Sequence, residues 1–233
     1  MVACVSISNI HCFKENLLTA QYRLRYREVI RKEKWDDIYV LKDMEFDQYD
    51  NPATEYYIAR NEAGDVVGVT RSYPTTIPYM LSDNFRYLFS EGLPQNHKIL
   101  EASRLVLDRS LLTKEERTPV VDRLLVAYME RGLQRGVEGY VGFMLPKIWE
   151  NTFLRVGWKV KWLGPEKELE NTGYKVRAGY MPVNPIMEQI IREKTGIYES
   201  VLKFGERYAE EMNEPLQSAY YSQSQDSLAL KVA

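Results

Sequence analysis

The stretch "KILEASRLVLD", residues 98 to 108, constrains the fold more than any other. Leu100, Ala102, Leu105, Val106 and Leu107 put apolar side chains on both faces of an extended chain, the pattern of a strand covered on both sides. Glu101 and Arg104 are set into it. Residues three apart point to opposite faces of a regular strand, so these two share a site only across a bulge. The alternative is an edge strand with one exposed charge on either side. Buried charges need partners, and the residues alone do not choose between the two.

A second acidic group is "EFDQYD", where Glu45, Asp47 and Asp50 alternate with Phe46 and Tyr49. It is not a calcium loop: counted from Asp47, position six is Pro52 instead of Gly and position twelve is Ile58 instead of Glu. Asp50, Asn51 and Pro52 favour a turn, and a solvated turn before a hairpin is the plainest reading.

Along the chain, residues 14–34 have a helical apolar stripe, and "DIYVL" is strand-like. "EYYIAR" and "DVVGVTRSYP" form a hairpin turning at 61–64. A short helix over 79–89 precedes the 98–108 strand. Thr118 as cap and Pro119 in the first turn predict a helix over 118–136. A strand over 138–145, a helix ending at Gly157 and strands over 158–164 and 173–182 follow. After Pro185 a long helix is expected to run through residue 212, and 213–233 read as a polar tail. There is no repeat and no linker. The order predicts one mixed α/β domain over 1–212.

With 31 basic and 33 acidic residues the net charge is −2, which excludes a globally basic nucleic-acid binder. Two cysteines, Cys4 and Cys12, build no disulfide framework and suit a reducing compartment. The first residues lack a basic start to their apolar part, and no run reaches the ~18 apolar residues of a membrane span. A cytoplasmic protein is expected. His11 and His97 have neither metal-ligand spacing nor a nucleophile nearby, and both nucleotide-binding glycine motifs are missing.

Arg25, Trp35, "EFDQYD", Arg71 in "TRSYPTTIPYML", Phe85 and "LEASRLV" together resemble the acyl-homoserine-lactone (autoinducer) synthase family, in order and spacing from about residue 20 to about 165. The resemblance implies an N-acetyltransferase-like αβα sandwich with a mixed, V-splayed sheet. It implies a bacterial enzyme that acylates the α-amine of S-adenosylmethionine from an acyl thioester, from acyl carrier protein or acyl-CoA, and then closes the lactone with loss of methylthioadenosine. The product would be a quorum-sensing signal. S-adenosylmethionine is then substrate, with no further cofactor or metal and no nucleic-acid or membrane partner. The implied catalytic residues are Glu101 as base, acting directly or through a water, Arg104 and Ser103. The implied S-adenosylmethionine site is Arg25, Val29, Trp35, Asp47, Asp50, Arg71 and Phe85, with acids facing the cationic groups and arginines holding the carboxylate or fixing the acids. Met144, Leu145 and Trp149 would line the acyl pocket. Donors for the thioester oxygen would come from backbone N–H groups at a bulge.

Two departures stand out. Val29 replaces the family's usual aromatic, and "GFMLPKIW" is apolar where some members carry a polar residue for 3-oxo chains, which favours an unsubstituted or otherwise unusual acyl group. A carrier-docking face is expected at Lys147, Arg155, Lys159 and Lys161, where four basic residues meet only Glu150, a local balance of +3. A solvated face without a partner is the competing reading. Coenzyme A enzymes of this fold carry a glycine loop where this chain reads "DRSLLTKEERTPVV", so a carrier thioester fits better. A different N-acyltransferase or an inactive ligand-binding paralogue are the rival functions.

Overall fold

In the computed structural model, residues 1–32, 39–169 and 172–208 are described. Trp35 and the expected tail at 213–233 lie outside them. Eleven strands are present among the described residues: β1 (Val2–Val5), β2 (Val40–Leu41), β3 (Met44–Glu45), β4 (Glu55–Arg60), β5 (Val66–Pro74), β6 (Ile99–Leu107), β7 (Gly139–Met144), β8 (Lys161–Trp162), β9 (Lys167–Glu168), β10 (Lys175–Pro182) and β11 (Leu202–Lys203). The main sheet runs β11-β1-β4-β5-β6-β7-β10-β8, with β9 also on β10, and β2 and β3 form a separate small hairpin. Pairing in the main sheet is antiparallel except for β1 with β11 and β6 with β7.

The helices are α1 (Leu17–Arg25), α2 (Met80–Asn84), α3 (Lys114–Gln134), α4 (Pro146–Trp149) and α5 (Pro185–Thr195). Strand alternation sends Val2, Cys4, Tyr57, Ala59 and Val67 into one core with α3 and α5. Ala3, Val5, Tyr56, Ile58 and Val69 face the other way, against α1. Farther along that second face, Tyr73, Val141, Val176 and Ala178 pack with Leu81 of α2. Helices on both sides of one mixed sheet give the αβα sandwich that the resemblance implies.

Several boundaries differ from expectation. α3 starts one turn before Thr118: Thr113 accepts from the Glu116 amide at 3.3 Å while Glu116 accepts from the Thr113 amide at 2.8 Å. This reciprocal capping box satisfies two otherwise orphaned donors, and Pro119 falls within the helix instead of opening it. The first helix widens after Arg25 into a π-helix over Tyr26–Lys32, as does the chain after α4 over Glu150–Leu154. Within the strand-like "DIYVL", Val40 and Leu41 form β2, and residues 37 and 38 lie outside the described ones. The helix after Pro185 does not run to 212. It ends at Gly196, whose φ of 69° suits a residue without Cβ. Glu130 on α3 then accepts from the Val201 amide at 3.1 Å, which brings β11 beside β1. Among the described residues, no helix is long and apolar enough to cross a membrane.

The feature that positions the site is the parting of β6 from β7. The two pair from Ile99–Gly139 to Glu101–Val141, yet β6 continues to Leu107. Beyond Glu101, β6 bulges: Ser103 faces Arg71 and Val106 faces Val69, so three steps on β6 match two on β5. Arg104 sits at this extra residue with φ of 57°, a left-handed conformation that costs a side chain energy. A bulge bends and twists its strand, and β6 swings off to leave a V.

Candidate active site

The bulge brings Glu101 and Arg104 to the same side of β6. With one residue added, Glu101, Ser103 and Arg104 serve one face. Arg71 ties them together: its Nε donates to Ser103 Oγ at 3.0 Å, and its terminal nitrogens grip Asp47 at 2.8 and 2.8 Å. Arg104 reaches the same Asp47 oxygen that Arg71 holds, at 2.8 Å.

The acidic loop is a turn, as its residues suggest, but its carboxylates are not solvated. Asp47 accepts from the Tyr49 amide and Asp50 from the Asp47 amide, both at 2.9 Å, so the loop folds on its own side chains. Arg25 donates to both oxygens of Asp50 at 2.7 and 2.8 Å, and Arg71 adds a contact at 2.6 Å. Glu45 takes Arg25 on one oxygen and Arg104, at 3.0 Å, on the other. Three guanidinium groups thus interlock with three carboxylates, a neutral set in which nearly every charge is satisfied. Burial pushes these carboxyls up, but the guanidinium contacts outweigh it. Arg25 and Arg71 hold Asp50 well below the usual range; Arg71 does the same for Asp47, and Arg25 with Arg104 for Glu45.

Glu101 has no such partner. Its side chain is fully enclosed; Oε2 accepts from the Leu81 amide at 3.1 Å, and Oε1 has no hydrogen bond among the described residues. Burial raises its pKa to about 7, against the opposing pull of the Leu81 amide, the Tyr73 hydroxyl, Arg71 and Arg104. A carboxyl that changes charge near neutral pH is suited to proton transfer.

The V holds a cavity of about 1080 Å³. Of the residues expected at the site, Val29, Asp47, Phe85, Ser103, Arg104, Met144 and Leu145 line it. Arg25, Asp50, Arg71 and Glu101 stand behind the wall, with Arg25, Arg71 and Glu101 fully buried. Trp149 is a correction: it turns into the sheet-side core, where Nε1 donates to the Arg177 carbonyl at 2.9 Å and the ring meets Trp162 edge-on. Neighbouring helical positions point about 100° apart, so Ile148, not Trp149, lines the cavity. Four features were missed by sequence reasoning. Glu45 completes the ionic set, and its two-residue spacing from Asp47 was the available signal. Phe46 and Tyr49 line the cavity beside Asp47, and Phe143 packs on Phe85 with ring centres 4.3 Å apart. Lys147, Lys159 and Lys161 are exposed as expected, but Arg155 is engaged by Asp122.

The autoinducer synthase family matches residues 9–190. An isovaleryl-homoserine lactone synthase of Bradyrhizobium diazoefficiens is 30% identical over 173 residues, covering 73% of this chain and 75% of its own. An acyl-homoserine-lactone synthase of Pseudomonas aeruginosa is 40% identical over 84 residues, 35% of this chain and 41% of its own. For most of the curated relatives the matched stretch is less than two thirds of their length. Among solved structures, the CoA-dependent acyl-homoserine lactone synthase BjaI, with SAM and isopentyl-CoA, aligns with a TM-score of 0.77 at 26% identity, over 87% of this chain and 92% of that one. The synthase LasI aligns at 0.71 over 86% and 98%; at 22% identity this likeness concerns the fold alone. The chain belongs to the autoinducer synthase family, whose curated relatives named here are acyltransferases.

Proposed function

We propose that the protein is an acyl-homoserine-lactone synthase: it acylates the α-amine of S-adenosylmethionine from an acyl thioester and then closes the lactone with release of methylthioadenosine. The observation that carries this is the pairing of a cavity in a splayed sheet with an enclosed, unbridged carboxyl near its head, beside a charge-balanced wall. At that wall Asp47 and Arg104 present opposite charges to the cavity, which matches the ammonium and carboxylate of the methionine end. Phe46, Tyr49 and Phe85 offer aromatic faces to the sulfonium. The remaining wall, through Phe143, Met144, Leu145, Ile148 and Phe153, is apolar and suits an unsubstituted acyl chain.

In this reading Glu101 takes the proton of the attacking amine. Free α-amines titrate near ~7.7 to 8.0, so a carboxyl at about 7 is matched to the task. The thioester oxygen is stabilised by backbone N–H groups at the bulge. Lactone closure is intramolecular and gains mainly from positioning. The donor is read as a carrier-protein thioester from the exposed Lys147, Lys159 and Lys161. The second reading, a coenzyme A thioester, is favoured by the likeness to a CoA-dependent synthase. The test is incubation with S-adenosylmethionine and either donor, with mass spectrometry of the products. Acyl-homoserine lactone and methylthioadenosine in equal amounts are expected; an acylated product without methylthioadenosine, or no product from either donor, overturns the proposal.

A further inference from the structure

Glu101 does not line the cavity, although its strand neighbours Ala102 and Ser103 do. A base behind the wall needs a path to its substrate. Tyr73 lies directly opposite Glu101 in the β5–β6 ladder, and Arg71 lies opposite Ser103. Cross-strand partners share a face with Cβ atoms ~4.5 to 5.5 Å apart, so Glu101, Tyr73, Ser103 and Arg71 form one cluster. The Tyr73 ring is held in place: Tyr49 stacks on it at 5.7 Å with planes 5° apart, and the Arg71 guanidinium lies 5.4 Å from its centre.

Its hydroxyl is buried within the influence of Glu101, Arg71, Ser103 and Asp47. Neither that hydroxyl nor Glu101 Oε1 completes a hydrogen bond among the described residues. Two buried polar atoms left open beside each other call for an explanation, and catalytic hydrogen bonds often close only when substrate binds. Ser103 Oγ already accepts from Arg71 Nε, which fixes the oxygen and leaves its own hydrogen to give away.

We propose that Ser103 and Tyr73 form a proton relay from the cavity to Glu101, an inference that rests on reading Glu101 as the base. As the amine nitrogen attacks, its N–H bond breaks and the electron pair stays on nitrogen, while the C–N bond forms. The proton passes to Ser103 Oγ, the Ser103 hydrogen to the Tyr73 oxygen, and the Tyr73 hydrogen to Glu101 Oε1. When the C–S bond breaks, the same path run backwards returns a proton to the leaving sulfur. Ser103 touches the substrate; Tyr73 acts through its neighbours. The other groups around Glu101 are Arg71 on β5, Arg104 on β6, the Leu81 amide of α2, Tyr79 ahead of it and Tyr128 on α3. Tyr128 also lines the cavity, but its hydroxyl donates to the Arg71 carbonyl at 2.7 Å, and that of Tyr79 to the Pro94 carbonyl at 2.6 Å, so both hydrogens are already committed.

The test compares wild type, Tyr73→Phe, Ser103→Ala, the double variant and Ser103→Thr, with S-adenosylmethionine and whichever acyl thioester the wild type turns over. Each of the first two variants should lower kcat about a hundredfold with KM for S-adenosylmethionine within about twofold. The double variant should be no slower than the slower single, because steps in series fail together. Ser103→Thr, which keeps the hydroxyl, should restore most of the rate. The dependence of kcat on deuterium fraction should curve in the wild type and become linear in Tyr73→Phe. Turnover of Tyr73→Phe within about threefold of wild type, or losses that multiply in the double variant, overturns the relay and leaves the synthase reading standing. A wild type that makes no lactone overturns both. Thermal unfolding checks each fold, and if Tyr73→Phe is unfolded, Ser103→Ala against Ser103→Thr decides.

Discussion

Two groups of buried carboxylates lie side by side on this sheet, and they behave in opposite ways. Glu45, Asp47 and Asp50 are locked to Arg25, Arg71 and Arg104 and held ionised. Glu101, near the same arginines, contacts none of them directly and is pushed towards the neutral form. Burial alone does not determine a carboxyl's character; the distance to the nearest guanidinium does. The first group braces the cavity wall, and the second is a carboxyl that changes charge near neutral pH.

The largest expected effect is on the locked group. Arg71→Met strands Asp47 and Asp50 without their shared cation, and breaking a buried pair costs about 3 to 5 kcal/mol. Denaturant unfolding should show a loss of that size; a loss under about 1 kcal/mol would mean that the interlocking contributes little. Glu101→Gln should do the reverse, keeping the fold while slowing acylation by about a hundredfold or more. Near-normal turnover would remove Glu101 from the mechanism.

The two groups should also separate by pH. Glu101 has a folded pKa near 7 against an ordinary value of 4.5, so the folded state binds the extra proton between them. Its contribution to stability is complete below about 4.5 and is lost as pH rises through about 7. Glu101→Gln should therefore be more stable than wild type at pH 8, on the order of 3 kcal/mol at most, and gain little at pH 4.5. The locked acids have lowered values, so their stability is present above the ordinary carboxylate range and lost as pH falls through their folded values. Wild type and Glu101→Gln should accordingly both unfold at low pH. Equal pH profiles for wild type and Glu101→Gln between 4.5 and 8 would erase the distinction.

The smallest effect concerns the outer surface. Lys159→Glu with Lys161→Glu should raise KM for a carrier-bound donor several-fold and leave that for S-adenosylmethionine unchanged, and rising salt should weaken the wild type in the same selective way. Indifference to both would favour the coenzyme A donor.

Much of this was legible in the sequence because it is local. The strand alternation and the turn at Asp50 to Pro52 depend on neighbours a few positions away, whereas the equally local Thr113–Glu116 cap was passed over for Thr118. The spacing of Glu101 and Arg104 narrowed the choice to a bulge or an edge strand, and only the structure decided for the bulge. What escaped was set by distant partners. Nothing near Asp47 announces that Arg71 and Arg104 will neutralise it, and nothing near Pro185 announces that Glu130 will capture the chain at Val201. Trp149 was misplaced by one helical step, because an apolar run does not say which of its members faces the cavity.

The main sheet also has two borders, and both are only two residues long: β8 at one side and β11 at the other. Each carries an exposed lysine, Lys161 and Lys203. Without β11, the border would be "VACV", a strand with all four residues buried in the folded chain. An apolar border with open N–H and C=O groups is a template for another copy's strand. The late turn at Gly196 therefore matters for solubility in a crowded cell: the short segment it returns to β1 closes the side of the sheet most prone to stick.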